Sequence, residues 1–202
     1  MIILVRHGLA AQGVEDLDPG LAETGHEQAR LTAEALQGHE VSRLVVSPLR
    51  RTQETAAPIA TALRLAPELR DEVAEVFDPS MPAEQRKDMI GPFMRGRWSE
   101  QPDILQAWRQ RAIDALVEMG MAAASDGHDL VVVSHYVAIC VAVGGSTGDD
   151  RVVPSPIPNC SLTTFDIGEG GLVLREAGSV AHLPPELVTG STQALAGGPG
   201  SR

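Results

Sequence analysis

Short runs of apolar residues, each ending in polar residues, recur along the chain and predict buried strands. Three of these predicted strands are Met1–Val5, Arg43–Ser47 and Asp129–Ser134, each with a centre of Ile, Leu or Val. Runs of this length that are bounded by turn signals are typical of strands inside a sheet. Because segments with helical spacing lie between them, the pattern predicts an α/β fold.

The segments between and after these strands predict helices and a final pair of strands. The first helix begins near Leu21 and ends before Gly38, and the second begins at Pro48 with Ser47 as its N-cap. The remaining predicted elements are a long helix from about Pro102 to Ala124, a buried helix over Val137–Val143, and a hairpin-like pair of strands over Ser161–Asp166 and Gly171–Arg175.

Two segments depart from this alternation of strands and helices. Residues 78–102 are broken by Gly and Pro, and we expect short segments there that form a lid insert, with a solvated surface excursion as the alternative. From about Pro184 the chain is rich in Gly, Ala, Ser and Pro, which predicts a disordered tail over 184–202. The basic and aromatic residues of the insert are Arg86, Lys87, Arg95, Arg97 and Trp98.

Cations and imidazoles follow the predicted strands at the points where these strands end. Arg6 and His7 follow the first strand, Arg51 follows the second, and His135 follows Ser134. In open α/β sheets, ligands sit at the carboxyl ends of the strands. An acidic stretch over Leu69–Phe77 could bring a carboxylate to the same place. Such a set of groups is what phosphoryl transfer through a histidine requires.

These segments resemble the histidine phosphatase superfamily, the phosphoglycerate-mutase-like proteins, over residues 1 to about 165. The matching pieces are LVRHG, LAETGHEQARLTAEAL, SPLRRTQETA, VVVSHY and PNCSLTTF, in that order. The resemblance implies a three-layer α/β/α sandwich with a mostly parallel central sheet. It also implies that residues 1–183 form one catalytic domain, a size that suits a single core.

The resemblance implies a role for each of the candidate residues. His7 carries the phosphoryl group, and Arg6, Arg51 and His135 bind its oxygens. The family places a glutamate that donates the proton soon after its third strand, and Glu75 fits this position best, with Glu72 as the alternative. No metal and no other cofactor is needed for this chemistry.

The chain departs from the family pattern at positions that affect substrate preference. Many members carry polar residues where this chain has Leu9, Ala10 and Gly13, and a glycine where it has Tyr136. We therefore expect a metal-independent phosphomonoesterase that acts through phosphohistidine on a small phosphorylated metabolite. The alternatives are a phosphoglycerate mutase, a non-catalytic phosphate-binding or regulatory module, and a phosphatase that acts on phosphohistidine in proteins.

Charge and composition limit the partners of the protein. The net charge of −11 argues against nucleic acids and anionic membranes, both of which bind extended basic surfaces. The first residues lack the basic and long apolar regions of a signal peptide, so we expect a cytoplasmic protein. Cys140 and Cys160 are predicted to be buried free thiols. The oligomeric state stays open, and a homodimer is one possibility.

Overall fold

The centre of the molecule is a sheet of parallel strands with an antiparallel pair at one side. It is seen in a computed structural model that describes residues 1–11, 16, 18–77 and 83–190, with only the backbone for 83–87. In this part of the chain the strand order is β3-β2-β4-β1-β5-β6. The strands are β1 (Ile2–Arg6), β2 (Val41–Val46), β3 (Pro67–Leu69), β4 (Asp129–Ser134), β5 (Leu162–Gly168) and β6 (Gly171–Ser179).

Helices lie on both faces of this sheet and are held by alternating residues of its inner strands. Ile3 and Val5 of β1 share an apolar cluster with Leu36 of one helix and Ile59 of the next. Ile2 and Leu4 of the same strand share a second cluster with the later helices. The helices are α1 (Glu23–Leu36), α2 (Arg50–Leu63), α3 (Ala83–Arg95), α4 (Asp103–Ser125) and α5 (Tyr136–Thr147).

The predicted fold class is confirmed, since a mostly parallel sheet lies between two helical layers. Strand β1 pairs in parallel with β4, with Val5 opposite Val133, and β2 pairs with β4 through the same residue, Val46 opposite Val133. These three strands therefore end side by side. We call this side the carboxyl edge of the sheet, and the side where the strands begin the amino edge. Among the described residues, no helix combines the length and apolar composition that crossing a bilayer requires.

The predicted N-cap of the second helix is wrong. Leu49 is the N-cap residue of α2, and it makes no side-chain capping bond. The Ser47 hydroxyl lies instead 2.7 Å from Nε2 of His135. Asp18 takes over at the start of the helix, where its carboxylate accepts the Arg50 N–H at 2.9 and 3.1 Å. The Arg50 N–H is thus already bonded to a carboxylate of the chain itself.

The insert over 78–102 contains a regular helix, which corrects the expectation of short segments. Helix α3 continues through Pro92, although proline removes one helical hydrogen bond. Phe93 follows directly, is buried, and packs edge-to-face on Phe77 and Trp98 at centroid distances of 5.0 and 5.6 Å. This aromatic contact holds the end of the helix. Trp98 is only 1% exposed, so it belongs to the core and not to a solvent-facing lid surface.

The expectation of disorder from Pro184 is wrong for residues 184–190. Pro185–Leu187 form a turn of 3₁₀ helix, and Thr189 accepts a backbone hydrogen bond from Asn159 at 3.0 Å. The composition favoured disorder, but hydrogen bonds to buried side chains order this stretch. Residues 191–202 lie outside the described residues.

Candidate active site

The loop that follows β1 is fixed by hydrogen bonds from four parts of the fold. The His7 N–H donates to the Ser134 carbonyl at 2.9 Å, and the Gly8 N–H donates to the Thr55 hydroxyl at 3.0 Å. The Leu9 N–H donates to Oε1 of Gln28 at 2.8 Å. On the other side, Nδ2 of Asn159 donates to the His7 carbonyl at 3.0 Å. Strand β4, helices α1 and α2, and the segment before β5 therefore all hold His7.

A pair of glycines lets this loop lie directly on helix α1. A Cβ atom on Gly8 would come within 2.6 Å of the Gly25 carbonyl oxygen, and a Cβ atom on Gly25 would come within 2.2 Å of the Leu9 carbonyl oxygen. Both distances are shorter than any side-chain contact allows. The sequence Arg6-His7-Gly8 can therefore sit against α1 only because neither position carries a side chain.

The His7 ring is oriented by the carbonyl of the next residue. Its Nδ1 lies 2.7 Å from the Gly8 carbonyl oxygen. A carbonyl oxygen can only accept a hydrogen bond, so Nδ1 carries the hydrogen. Burial, followed by the nearby charges of Arg6 and Arg51, holds the pKa of His7 well below its ordinary value. The ring is therefore neutral, and Nε2 bears a lone pair. This is the form that a nucleophilic histidine needs.

Arg6 is a buried cation under the same loop. One of its Nη atoms donates to the Ile157 carbonyl at 2.7 Å and to the Gly190 carbonyl at 3.2 Å. Its guanidinium lies 4.8 Å from the centre of the Tyr136 ring, within the range of a cation–π contact. Burial lowers the pKa of Arg6, but a guanidinium starts so high that it stays charged at neutral pH.

Arg51 and His135 lie beside His7. The His7 and His135 ring centroids are 5.3 Å apart, and an Nη atom of Arg51 lies 3.2 Å from Nδ1 of His135. Because arginine only donates, Nδ1 of His135 accepts, and Nε2 donates to the Ser47 hydroxyl. Burial, then the neighbouring His7 and the two arginines, holds the pKa of His135 well below its ordinary value. Both imidazoles are thus neutral in the free protein.

The two candidate carboxylates have opposite environments. Burial raises the pKa of Glu75, although the charges of Arg51 and Arg6 and the N–H of Val76 at 2.9 Å act against this shift. Glu72 forms a hydrogen-bonded ion pair with Arg70 at 2.9 Å, and this bond lowers its pKa. Of these two carboxylates, only Glu75 therefore feels the charges of Arg6 and Arg51, and its raised pKa favours the protonated form.

The sequence-predicted residues thus meet at the carboxyl edge, but the residues that support them were missed. The sequence predicts Ser47 as a helix cap and indicates no role for Thr55, Gln28 or Asn159. Their partners are backbone atoms or rings that lie far away in sequence, such as the pairing of Asn159 with His7. Burial of uncharged polar residues near the His7 loop was the signal, and it becomes visible only in three dimensions.

The chain belongs to the histidine phosphatase superfamily. The family model for its branch 1 matches residues 2–179. A protein from Yersinia pestis named "probable phosphoglycerate mutase GpmB" is 30% identical, with 90% of this chain and 94% of that protein covered. A counterpart from Yersinia enterocolitica with the same name is 29% identical over the same shares of both chains.

Solved structures show the same fold at lower identity. A phosphoserine phosphatase from Entamoeba histolytica, determined with 3-phosphoglyceric acid, superposes with a TM-score of 0.70 at 23% identity, covering 91% of this chain and 98% of that one. A mycobacterial glucosyl-3-phosphoglycerate phosphatase superposes with a TM-score of 0.67 at 20% identity, covering 86% and 95%. At such identities the likeness concerns the fold.

Proposed function

We propose that the protein is a metal-independent phosphomonoesterase that acts through a phosphohistidine intermediate. The observation that carries this proposal is the state of His7. Its Nδ1–H is taken up by the Gly8 carbonyl, and its Nε2 lone pair is kept unprotonated by burial and by two guanidinium groups. The same cations that prevent protonation of the ring attract a phosphate group.

In the first step, Nε2 of His7 attacks the phosphorus atom of the substrate. An N–P bond forms, the bond between phosphorus and the ester oxygen breaks, and the leaving alkoxide takes a proton from Glu75. Arg6 and Arg51 balance the charge on the phosphoryl oxygens, as guanidinium groups do in ion pairs with phosphate. The raised pKa of Glu75 favours the protonated form that this step requires.

In the second step, water attacks the phosphorus atom. The Glu75 carboxylate accepts a proton from this water, the P–N bond breaks, and its electron pair returns to Nε2 of His7. Inorganic phosphate leaves, and both side chains are in their starting forms. His135 donates to the phosphoryl group once the charge of the bound phosphate favours a proton on its Nδ1.

We propose that the substrate is a small phosphorylated metabolite in the cytoplasm. The relatives named above refer to phosphoglycerate, phosphoserine and glucosyl-phosphoglycerate, all of which are phosphorylated carboxylic acids. These compounds are therefore the first to test, with sugar phosphates, nucleotides and phosphopeptides as comparison groups. A phosphopeptide as the best substrate would contradict the metabolite assignment.

A phosphoglycerate mutase is the second candidate, favoured by the name of the Yersinia relatives. A mutase returns the phosphoryl group to the substrate and must shield its phosphohistidine from water. Leu9 and Ala10 offer no polar side chain that could hold a second phosphorylated ligand, and Gly13 lies outside the described residues. These positions therefore support hydrolysis.

The two candidates separate in one assay. The protein is incubated with EDTA and 3-phosphoglycerate, with and without 2,3-bisphosphoglycerate, and both phosphate and 2-phosphoglycerate are measured. Hydrolysis predicts phosphate release in EDTA that does not depend on the bisphosphate. Isomerisation that needs the bisphosphate, with little phosphate release, would assign the mutase. Binding without either product would assign a phosphate-binding module.

We also propose that the insert over 78–102 contacts the substrate beyond its phosphate. Arg95 is the last residue of helix α3, and Arg97 follows it. The Arg97 backbone pairs with that of Arg151, which follows α5. The double variant Arg95→Ala/Arg97→Ala should then raise KM for the best natural substrate and leave KM for p-nitrophenyl phosphate unchanged. Equal changes for the two substrates would place the insert outside the site.

A further inference from the structure

A short stretch near the end of the described chain contacts the support of the His7 loop. We call residues Leu187–Gly190 the C-terminal strap. The Leu187 carbonyl accepts a hydrogen bond from Nε2 of Gln28 at 2.6 Å, and the Gly190 carbonyl accepts one from Arg6 at 3.2 Å. The family match ends at residue 179, before this strap begins.

The strap lies behind two side-chain amides that hold the His7 loop from opposite sides. Gln28 is fully buried, and its Oε1 accepts the Leu9 N–H at 2.8 Å. Asn159 is 2% exposed, and its Nδ2 donates to the His7 carbonyl at 3.0 Å. One amide therefore presents its oxygen and the other its nitrogen. If either amide turned over, a donor would face a donor or an acceptor would face an acceptor.

A single hydroxyl group bonds to both amides, and at Gln28 it acts together with the Leu187 carbonyl. The Thr189 hydroxyl donates to Oδ1 of Asn159 at 3.1 Å and accepts from Nε2 of Gln28 at 2.8 Å. A hydroxyl has one hydrogen to donate and can accept at the same time, so it satisfies two different partners. With Oδ1 of Asn159 engaged in this way, Nδ2 faces His7. With Nε2 of Gln28 engaged, Oε1 faces Leu9.

Gly190 lets the strap lie directly against Arg6 and Asn159. It has a φ of +73°, and a Cβ atom there would lie 2.4 Å from Oδ1 of Asn159 and 2.9 Å from Nη1 of Arg6. The residue is therefore required as glycine. The strap thus contacts Arg6 directly and His7 through the Asn159 side chain. The same strap therefore supports both the cation Arg6 and the proposed nucleophile His7.

We propose that Thr189 is a positioning residue for His7. Its hydroxyl orients Asn159 and, together with the Leu187 carbonyl, Gln28. These two amides set the backbone of the loop and hence the direction of Nε2 toward the phosphorus atom. This proposal rests on the proposed function, because it assigns a role in the same reaction. Small errors in the direction of attack slow such reactions strongly without weakening substrate binding to the same degree.

The test uses the full chain with three variants. Thr189→Val removes the hydroxyl and keeps the shape, Thr189→Ser keeps the hydroxyl, and Thr61→Val removes an exposed hydroxyl on α2 that bonds only within its helix. The rate of phosphoenzyme formation is measured by rapid alkaline quench with p-nitrophenyl phosphate, which preserves the acid-labile phosphohistidine, together with kcat and KM. Amide hydrogen exchange of His7 and Leu9 is measured in the free protein.

We expect Thr189→Val to slow phosphoenzyme formation and kcat by about 10- to 100-fold, the usual range for lost support of a reacting group. KM should change little, exchange of the Leu9 amide should speed up, and Thr189→Ser should restore both readouts. Thr61→Val should behave as the wild type. Wild-type rates in Thr189→Val, or no rescue by serine, would overturn the proposal even if the thermal stability fell.

Two further outcomes are distinguished. If the wild type forms no phosphoenzyme, the proposed function fails, whereas unchanged exchange of the Leu9 amide in Thr189→Val would overturn the role of the strap. If Thr189→Val does not fold, Thr189→Ala removes the same hydroxyl with a smaller side chain. The same two readouts then support or overturn the proposal.

Discussion

Both edges of the parallel sheet carry histidines beside charged residues, but the two sites differ in burial and in the sign of the neighbouring charges. At the carboxyl edge, His7 is 9% exposed, His135 is fully buried, and Arg6 and Arg51 are their charged neighbours. At the amino edge, the His39 side chain is 32% exposed and lies 3.2 Å from the Asp129 carboxylate. The histidines of the carboxyl edge therefore lie in a buried site beside cations, whereas His39 lies near water beside an anion.

The difference supports the proposed role of His7 as the nucleophile. Burial and adjacent guanidinium groups stabilise the neutral ring, and the Gly8 carbonyl selects the nitrogen that keeps its lone pair. The surroundings of the residue, and not its type, therefore separate the two edges.

The largest expected effect comes from removing His7 at the carboxyl edge, with the removal of His39 at the amino edge as the control. His7→Ala should lower kcat/KM by about 10³-fold or more, the scale seen when a nucleophile is lost, and no acid-labile phosphate should be trapped. Arg6, Arg51 and His135 should still bind phosphate in a calorimetric titration. His39→Ala should keep wild-type activity. A phosphoenzyme in His7→Ala would assign the nucleophile elsewhere.

The carboxyl edge offers a second comparison, between Glu75 and Glu72. Glu75→Gln should lower kcat by about 10²- to 10⁴-fold for a substrate with a poor alkoxide leaving group, the range for general acids. The loss should shrink for an activated phenol, which leaves without a proton. Glu72→Gln breaks only the ion pair with Arg70 and should keep most of the activity.

The stability of the Glu75 variant should also test the assignment of Glu75, because the substitution should stabilise the protein while it lowers activity. Because the pKa of Glu75 is raised in the folded protein, its charged form costs free energy at neutral pH. Glu75→Gln should therefore raise the urea midpoint at neutral pH while it lowers activity. If Glu72→Gln showed the dependence on the leaving group, the proton donor would have to be reassigned to Glu72.

The neutral histidines at the carboxyl edge should make the protein sensitive to acid. The folded pKa values of His7 and His135 lie below the ordinary 6.5, so below about this pH the unfolded chain binds more protons than the folded one. As the pH is lowered, the free energy of unfolding should therefore decrease by up to about 1.4 kcal/mol per pH unit for each histidine. Glu75 acts in the opposite direction, but one carboxyl does not outweigh two imidazoles.

Urea unfolding between pH 7.5 and 5 measures this slope, and His7→Asn is the matched variant. It should remove the contribution of one histidine below about pH 6.5 and leave stability above that pH nearly independent of pH. A slope equal to that of the wild type would mean that His7 is not held neutral by its surroundings.

The smallest effect is expected at the amino edge. Asp129→Asn removes the carboxylate that contacts both His39 and the Met1 amino group, at 3.2 and 3.0 Å, in pairs that are partly open to water. Such pairs contribute up to about 1 kcal/mol, and salt screens them. Activity should not change, and the free energy of unfolding should drop slightly at low salt and less at high salt. A large loss of activity would mean that the two edges are coupled.

The three inner parallel strands were predictable because they are short, apolar and end in polar residues, whereas the edge strand β3 was not predicted, because Pro67–Leu69 contains no apolar run. The predicted range Asp129–Ser134 is confirmed, and β1 is confirmed with bounds shifted by one residue. Helix α5 was predicted only to Val143, where the apolar run ends. It continues to Thr147 and ends at Gly148, which adopts the left-handed conformation and donates its N–H to the Gly144 carbonyl.

The support of the site could not be predicted, because it depends on contacts between distant parts of the chain. Nothing in the sequence around Asn159 indicates that its amide reaches His7, and the composition after Pro184 indicated disorder. Two residues of that stretch, Leu187 and Thr189, accept hydrogen bonds from the buried Gln28. Local patterns describe elements, whereas such contacts arise only when the elements pack.

The facing glycines Gly8 and Gly25 constrain how this sequence can change over time. Each leaves room for the backbone on the other side, so a first substitution at either position meets backbone and not a movable side chain. No second substitution at the partner position can compensate, because the partner has no side chain left to shrink. The two positions are thus closed to gradual drift, and a redesign of substrate preference should leave both untouched and vary Leu9, Ala10 and Tyr136 instead.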